Sequence, residues 1–249
     1  IVWKDLLIFH CDGSDVQYVV ALDVSTGEEV WRTDRSGEMN DNPEMKKAYG
    51  TPLVTSVGGR EVLLSPGSDW LYGYDPENGK ELWKVNYGIL GFSIVARPVV
   101  ADRVVYFSTS FMKTELLAVQ LGPKVNTTPE ILWRYRRSVP RMPSPILVDD
   151  SVYLFGDKGI ATCLDRHTGE ARWTGRLGGS FSSSPLFADG KIYVGNHEGE
   201  MFVIEPGDTL AILAKNDFDE AIMASPAAIG DSLFVRTGRA MYRIKKADF

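Results

Sequence analysis

The stretch YDPENGKELWKV, residues 74–85, recurs with small changes at two other places in the chain. It becomes LDVSTGEEVWRT at 22–33 and LDRHTGEARWTG at 164–175. In each copy an aspartate is followed four residues later by glycine and eight residues later by tryptophan; these residues are Asp23, Gly27, Trp31, Asp75, Gly79, Trp83, Asp165, Gly169 and Trp173. Because chance does not repeat so fixed a spacing three times, the chain is predicted to consist of repeating units.

Prolines mark the same unit a second time. Each stands in a short strand-like segment, and successive prolines are 46, 47, 40 and 41 residues apart: Pro52, Pro98, Pro145, Pro185 and Pro226. Between them the sequence alternates turn residues with four short runs rich in Val, Ile, Leu, Tyr and Phe. Several runs are apolar on both faces, which is typical of a sheet covered by neighbours on both sides.

This pattern predicts an all-β fold, a β-propeller of four-stranded antiparallel blades. We expect one propeller domain over residues 1–249 with about six blades. Their approximate ranges are 1–47, 48–93, 94–140, 141–180, 181–221 and 222–249, the last of these incomplete.

The repeated motif is predicted to be structural. It joins the third strand of a blade to the fourth, where the aspartate accepts hydrogen bonds from turn amides and the glycine takes a positive φ. The tryptophan, with Trp133 as its counterpart in the third unit, is expected to pack against the next blade. A catalytic role is not favoured, because an active site does not recur in every unit.

Two units depart from the pattern, and one insertion separates the first two. The third unit has a longer loop, GPKVNTTPE, before Trp133, and the fifth has Leu213 where tryptophan is expected. In the insertion NDNPEMKKAY at 40–49, Asn42 is predicted to cap a short helix with Pro43 at its first position.

Composition narrows the function classes. The 249 residues carry a net charge of −6, which does not favour a general affinity for nucleic acid or anionic membrane. No apolar run has the length of a membrane span, and no signal peptide is visible. The chain starts at Ile1 without an initiator Met, so we expect it to derive from a longer protein. Cys11, expected in a loop, and Cys163, expected in a third strand, are predicted to be separate thiols.

The pattern A-x-D-x-x-T-G-x-x-x-W, intact as ALDVSTGEEVW at 21–31, resembles the repeat of pyrroloquinoline-quinone (PQQ) propellers. Quinoprotein alcohol dehydrogenases and a propeller lipoprotein of bacterial outer-membrane assembly share this repeat. The segments IFHCDGSDVQYVVALD and GIATCLDRHTGEARW are similar to PQQ-like propellers of planctomycetes. The resemblance implies a periplasmic or otherwise extracytoplasmic location and an eight-bladed parent ring. With about six units present, we expect an open arc; a tightened closed ring is the alternative.

The resemblance also raises an enzymatic alternative. Quinoprotein dehydrogenases hold the quinone and a calcium ion in the central channel and use an Asp base, often beside a disulfide between adjacent cysteines. This chain has no adjacent cysteines, and no calcium ligand or catalytic Asp can be assigned. No His pair has metal spacing, and no G-x-S-x-G motif surrounds the serines at 180–185. We therefore predict no catalytic, cofactor-binding or metal-binding residue and no bound cofactor.

The sequence favours a non-catalytic scaffold for protein or ligand binding in the bacterial cell envelope. A quinoprotein dehydrogenase-like fragment and a sensor ectodomain stay open as alternatives. A protein or peptide partner is expected at the face that gathers the longer loops, since variable loops on a rigid scaffold usually carry recognition. The candidate binding residues, each of which could instead be a packing residue, are Tyr49, Arg97, Met112, Arg141, Phe181 and Met223.

Overall fold

Strands make up all but one of the regular elements in residues 1–245, the part of the chain that the computed structural model describes. The chain divides into two compact units, Ile1–Arg136 and the residues from Arg137 onward. Within each sheet of three or more strands, neighbours in sequence are antiparallel neighbours in space. We call these sheets blades I to VI in chain order.

The first unit holds blades I to III. Blade I consists of β1 (Val2–Trp3), β2 (Leu6–Asp12), β3 (Gln17–Asp23) and β4 (Glu29–Asp34). A 3-10 helix, Pro43–Lys46, precedes blade II, which consists of β5 (Leu53–Val57), β6 (Arg60–Pro66), β7 (Trp70–Tyr74) and β8 (Glu81–Asn86). Two short strands, β9 (Gly91–Phe92) and β12 (Phe111–Met112), pair with each other beside blade III, which consists of β10 (Val99–Ala101), β11 (Val104–Ser108), β13 (Leu116–Gln120) and β14 (Glu130–Tyr135).

The second unit holds blades IV to VI. Blade IV consists of β15 (Ile146–Val148), β16 (Ser151–Phe155), β17 (Ile160–Asp165) and β18 (Ala171–Arg176). Blade V consists of β19 (Leu186–Ala188), β20 (Lys191–Gly195), β21 (Glu200–Glu205) and β22 (Ala211–Asp217). Blade VI has β23 (Ala227–Ile229), β24 (Ser232–Arg236) and β25 (Met241–Lys245) within the described residues. The last four residues of the predicted sixth blade, 246–249, lie outside them.

The all-β class and the four-stranded antiparallel blade are confirmed. The single domain over 1–249, the approximate blade limits, the blade number of the ring and the open arc stay predictions. The short helix at Pro43 is also confirmed, because the Asn42 side chain accepts a hydrogen bond from the Glu44 amide at 3.1 Å. The expectation that Cys11 lies in a loop is wrong: Cys11 lies in β2 and pairs with Tyr18, because β2 runs on to Asp12.

A β-bulge recurs at one position in every four-stranded blade of residues 1–245. In blade I, Ala21 pairs with Trp31 and the next pair is Leu22 with Glu29, so Val30 is the extra residue. The same one-residue shift occurs between the third and fourth strands of blades II to V. The bulge keeps the tryptophan on the face that packs against a neighbouring blade while the extra residue turns outward.

This register corrects the interpretation of the fifth unit. Val203 pairs with Ala214 and Ile204 pairs with Ile212, so Ala214 holds the tryptophan position. Leu213 is instead the exposed bulge residue. The prediction was one residue off because the turn of blade V is one residue longer than those of blades I, II and IV, and counting from the aspartate position does not detect this.

The repeated tryptophan lies on the repeat turn of the following blade. Trp31 of blade I is buried, and its Nε1 donates to the Pro76 carbonyl in the turn of blade II at 3.1 Å. A Cβ on Gly79 would lie 2.4 Å from the Trp31 ring, so that ring needs glycine beneath it. In the second unit, Trp173 Nε1 donates to the Gly207 carbonyl in the turn of blade V at 2.9 Å.

A small residue opposite the tryptophan makes room for its ring. In blade II this residue is Gly73, where a Cβ would lie 2.2 Å from Trp83. Trp83 is buried in a cluster that joins blades II and III and includes Val105 and Leu117. Trp133, on β14, packs its ring 5.8 Å from that of Tyr106 within blade III.

The turn itself is held by the aspartate and the glycine. Asp23 Oδ1 accepts from the amides of Ser25 and Thr26 at 2.8 and 2.9 Å, and Gly27 has a φ of 74°. Asp165 likewise accepts from two turn amides and Asp75 from one, that of Glu77, with Gly79 at 72° and Gly169 at 74°. In blade II, the aspartate thus holds the turn against which the tryptophan of blade I packs.

A chain of serine hydroxyls links the inner strands of the second unit. Ser184 Oγ accepts from the Ser144 amide at 3.0 Å, and Ser225 Oγ accepts from the Ser184 amide at 2.9 Å. Each of these serines precedes one of the repeated prolines. The serine before the proline therefore supplies a hydrogen bond between blades IV and V and between blades V and VI.

Truncating a tryptophan that is buried between blades is expected to destabilise the protein strongly. Trp83→Ala should lower the free energy of unfolding by roughly 3–5 kcal/mol, because it leaves a cavity between blades II and III. Chemical denaturation followed by circular dichroism measures this loss. Leu132→Ala, at an exposed bulge position of blade III, is the control and should change stability by less than about 0.5 kcal/mol. Equal effects of the two substitutions would contradict the inter-blade role.

Candidate functional site

The loops at one end of the first unit form a connected surface. It consists of the second-to-third-strand loops and the blade connections, within residues 13–16, 35–52, 67–69, 87–98 and 109–115. We call this surface the loop platform. Blade connections and second-to-third-strand loops meet at the same end of a propeller because successive strands run in opposite directions.

Backbone hydrogen bonds join these loops into a band. Ala48 forms a bridge with Asp12 at the end of β2 and a second bridge with Ile94 in the connection to blade III. The amide of Tyr49 donates to the Ile94 carbonyl at 2.7 Å. Since β9 and β12 also pair here, the band runs across all three blades of the unit. The loops are therefore fixed to one another and not only to their own blades.

Buried side chains anchor the band from below. The Ser68 hydroxyl donates to the Met45 carbonyl and approaches the Gly91 carbonyl at 3.2 Å. Tyr87 is buried, and its hydroxyl donates to the Gly67 carbonyl at 2.5 Å. Backbone polar groups that would be free in a mobile loop are paired, which is typical of a preformed surface.

Large nonpolar side chains stand on this fixed band. Ile89 is 66% exposed and Met112 is 59% exposed, although both lie next to buried or paired backbone. Phe111 is half-exposed, and its ring centroid lies 5.3 Å from that of Phe92 across the β9–β12 ribbon. Tyr49 is exposed farther along the band. Exposed aromatic and Met residues held on a rigid surface are typical of protein-binding sites.

Three of the predicted binding residues belong to the first unit. Tyr49 and Met112 lie on the loop platform and are exposed. Arg97 is exposed and directly precedes Pro98. The chain at Gly50 runs beside residues 94–96, where a Cβ on Gly50 would lie 3.2 Å from the Ala96 carbonyl. Tyr49 and Arg97 are thus carried by two adjoining segments.

The other three belong to the second unit. Met223 is exposed, and Arg141 forms an ion pair with Asp157 at 3.7 Å. Phe181 is fully buried against Phe155 and Phe202 in the core of blades IV and V. The prediction that Phe181 contributes to a binding face is therefore wrong; its ring fills the space between the two blades.

A buried ion pair lies beneath the platform, and sequence reasoning missed it. Arg35 Nη2 and Nε contact Asp12 Oδ2 and Oδ1 at 2.7 and 3.1 Å, and both side chains are almost completely buried. Arg35 also donates to Ser65 Oγ at 2.8 Å and to the Tyr74 hydroxyl at 3.3 Å. These residues follow no repeat, so only the assembly of blades I and II reveals that they meet.

His10 completes this network. His10 Nδ1 lies 3.0 Å from Ser65 Oγ, which also accepts from Arg35. Nε2 is buried and has no hydrogen-bond partner among residues 1–245. Burial, followed by the charge of Arg35, lowers the pKa of His10 to about 4. His10 is therefore a neutral structural residue at neutral pH.

Two cavities open at the platform. One, of about 520 Å³, is lined by residues of β2 and of the connection to blade II, including His10, Cys11, Asp12 and Tyr49. The other, of about 630 Å³, is lined by Glu38, Asp41, Asp69, Trp70, Asn86 and Ile89, among others. We call the second cavity the acidic pocket. No motif marked it, because its residues come from three separate loops and strand ends.

Among the residues that the structure describes, no group of three or more His, Cys, Asp or Glu side chains is placed to hold a metal ion. The same part of the chain contains no helix of the length and hydrophobicity that crossing a membrane requires.

Known proteins resemble this chain in sequence. A family model described as outer membrane protein assembly factor BamB matches residues 13–248. The BamB protein of Shewanella oneidensis is 29% identical over 250 residues, which cover 92% of this chain and 52% of that protein. The BamB protein of Yersinia pestis is 22% identical and covers 82% of this chain and 52% of its own length. The chain thus spans about half the length of these relatives.

Solved structures resemble it in fold. BamB from Moraxella catarrhalis superposes with a TM-score of 0.73 at 16% identity, covering 95% of this chain and 68% of that one. Quinohemoprotein alcohol dehydrogenase from Comamonas testosteroni superposes with a TM-score of 0.60 at 16% identity, covering 88% of this chain and 42% of that one. At such identities the likeness shows a shared propeller fold and no activity.

The buried His10 predicts a pH dependence of stability. The unfolded chain binds a proton at His10 near pH 6.5, whereas the folded state binds it only near pH 4. The stabilising contribution is therefore complete above pH 6.5 and is lost as the pH falls through about 4, by on the order of 3 kcal/mol. Denaturation at pH 7 and pH 4 should show that the stability difference between wild type and His10→Gln shrinks by that amount. Equal pH profiles for wild type and His10→Gln would contradict the assignment.

Proposed function

The chain belongs to the PQQ-like propeller family whose model is described as outer membrane protein assembly factor BamB, and we propose that it is a non-catalytic scaffold that binds other proteins in the bacterial cell envelope. The relatives that it matches are named as assembly factors of outer membrane proteins. This chain spans about half of their length, so a role in outer membrane protein assembly is part of this proposal.

The observation that carries the proposal is the loop platform of the first unit. Exposed nonpolar side chains normally order poorly, and ordering them on binding costs about 0.5–1.5 kcal/mol for each side chain. Here the backbone beneath Ile89 and Met112 is already fixed by the β9–β12 pairing and by the hydrogen bond from the Lys113 amide to the Leu90 carbonyl. A partner protein would therefore meet a preformed surface.

The location follows the same reasoning. Outer membrane proteins are assembled outside the cytoplasm, so a factor of this kind acts in the periplasm or at another extracytoplasmic site. The net charge of −6 supports a protein partner over nucleic acid. The partner face is the loop platform, with Tyr49 and Met112 as its predicted contacts.

The quinoprotein alternative is not adopted, because no observation favours it over the scaffold. Cys11 lies in blade I of the first unit and Cys163 in blade IV of the second, and both are free thiols. The likeness to the quinohemoprotein dehydrogenase rests on the fold alone. The sensor-ectodomain alternative likewise has no observation of its own.

A charge on the platform should impair function without unfolding the protein. Met112→Asp places a carboxylate at a position that is 59% exposed, and a positive φ of 88° suits Asp better than most residues. In cells whose own gene has been deleted, this variant should restore folded outer-membrane β-barrel proteins several-fold less well than wild type. Heat-dependent electrophoretic mobility of those barrels measures the effect.

The matched control is Val30→Asp, at a position of the same unit that is 51% exposed but lies at the bulge of β4. It should complement as wild type does, and both variants should keep the wild-type melting temperature to within a few degrees. Normal complementation by Met112→Asp would overturn the platform as the binding surface. Unchanged barrel levels after the gene deletion itself would overturn the assembly function.

The non-catalytic assignment predicts that the chain binds no quinone. Titration with PQQ in the presence of calcium should leave the melting temperature unchanged, since a ligand that binds only the folded state raises it. Differential scanning fluorimetry with calcium alone is the control. Stoichiometric, calcium-dependent stabilisation by PQQ would instead support the dehydrogenase alternative.

A further inference from the structure

The acidic pocket of the loop platform carries three carboxylates and no basic side chain in its lining. Glu38 and Asp41 come from the connection after blade I, and Asp69 comes from the turn between β6 and β7. Asn86, at the end of β8, adds an amide. Carboxylates gathered around a concave surface repel one another, so their arrangement favours a positively charged occupant.

Asp69 is the residue that sets this pocket apart from an ordinary acidic surface. It is only 5% exposed and lines the cavity, yet its carboxylate accepts no hydrogen bond from the described residues. Desolvation raises the pKa of Asp69 to about 6. A carboxylate that is largely withdrawn from water and has no compensating donor is unfavourable by itself.

The backbone conformation explains why a short polar residue occupies position 69, but not why that residue is charged. Asp69 has a φ of 63° in a tight turn, where the Gly67 amide donates to the Trp70 carbonyl at 2.9 Å. Asn tolerates this conformation as well as Asp and would avoid the burial of a charge. The turn therefore explains a short polar side chain, whereas the negative charge needs a separate explanation, namely a bound cation.

Trp70 indicates the chemistry of that cation. Its Nε1 donates to the Glu38 carbonyl at 2.9 Å, which fixes the ring as one wall of the pocket. The Lys84 ammonium, which is held by Ser36 and Glu81, lies 5.5 Å from the ring centroid. A guanidinium stacks on an aromatic face and pairs with carboxylates in two directions at once, which a compact ammonium cannot do. The exposed Ile89 at the rim can cover the aliphatic stem of a long side chain.

We propose that the acidic pocket receives an arginine side chain of a partner protein, with Asp69 as its ion-pair partner and Trp70 as its stacking surface. This inference rests on the proposed function as a protein-binding scaffold and specifies the chemistry of the partner. Met112 and Phe111 then provide nonpolar contact on the same platform, and the pocket provides charge selection.

The test uses N-acetyl-arginine amide as the probe. Titration into the whole chain, followed by the NMR signal of the Trp70 indole N–H, should show saturable binding. N-acetyl-citrulline amide has nearly the same shape without the charge and should bind at least about ten-fold more weakly, because a charge-assisted hydrogen bond is lost. Asp69→Asn, which keeps the turn, should weaken the arginine probe by a similar factor.

Two further variants separate the site from general charge effects. Asp149→Asn removes a carboxylate at an exposed turn with a positive φ of 49° and should leave the binding unchanged. Glu38→Gln removes charge from the pocket without touching the β6–β7 turn and should weaken binding, so the proposal stays testable even if Asp69→Asn perturbs folding.

The outcomes are distinct. Equal binding of the arginine and citrulline probes, or binding unaffected by both Asp69→Asn and Glu38→Gln, would overturn the proposal. Asp69-dependent binding of calcium alone, with no arginine binding, would also overturn it and make the pocket a metal site. In each of these cases the effect of Met112→Asp on barrel assembly is a separate result, so a protein-binding scaffold without an arginine pocket remains distinguishable.

Discussion

The rest of the structure depends on one contact, in which a tryptophan packs on the repeat turn of the next blade. The turn offers a carbonyl and a glycine surface, and Trp31 uses both when it donates to Pro76 and covers Gly79. A single blade cannot bury its apolar faces, so this contact joins neighbouring four-stranded sheets within a unit. The bulge before each tryptophan supports this contact, because it keeps the ring on the face that packs against a neighbouring blade.

A stack held in this way leaves its loops free to take other roles, and the first unit shows one. Its loops pair with one another through Ala48 and through the β9–β12 ribbon, so exposed nonpolar side chains stand on a fixed support. The ion pair of Arg35 with Asp12, both at this end of blade I, lies directly below, and Arg35 also donates to Ser65 of blade II. Such a buried pair contributes little net stability, but loss of either partner would leave the other charge buried alone.

His10 and Asp69, both at this end of the first unit, lie in different electrostatic surroundings. His10 is kept neutral by burial and by Arg35, and it has a defined partner in Ser65. The Asp69 carboxylate is also largely buried but has no hydrogen-bond donor among the described residues, although its turn would accept an uncharged residue. The first arrangement serves the packing of two blades. The second is unfavourable for folding and is typical of a position kept for binding.

The sequence by itself determined the repeat, the strand class and the turn chemistry, because those depend on spacings of a few residues that recur in every unit. The packing roles of Trp31 and Trp83 follow from the same short-range pattern. What only the tertiary structure decided are features made by residues distant in sequence: the acidic pocket, the Arg35 network and the burial of Phe181. Counting along the sequence also has a limit within the repeat itself. One added turn residue in blade V moves the tryptophan position from Leu213 to Ala214. Side-chain spacing along a strand is set locally, whereas burial and charge pairing depend on which loops the blades bring together.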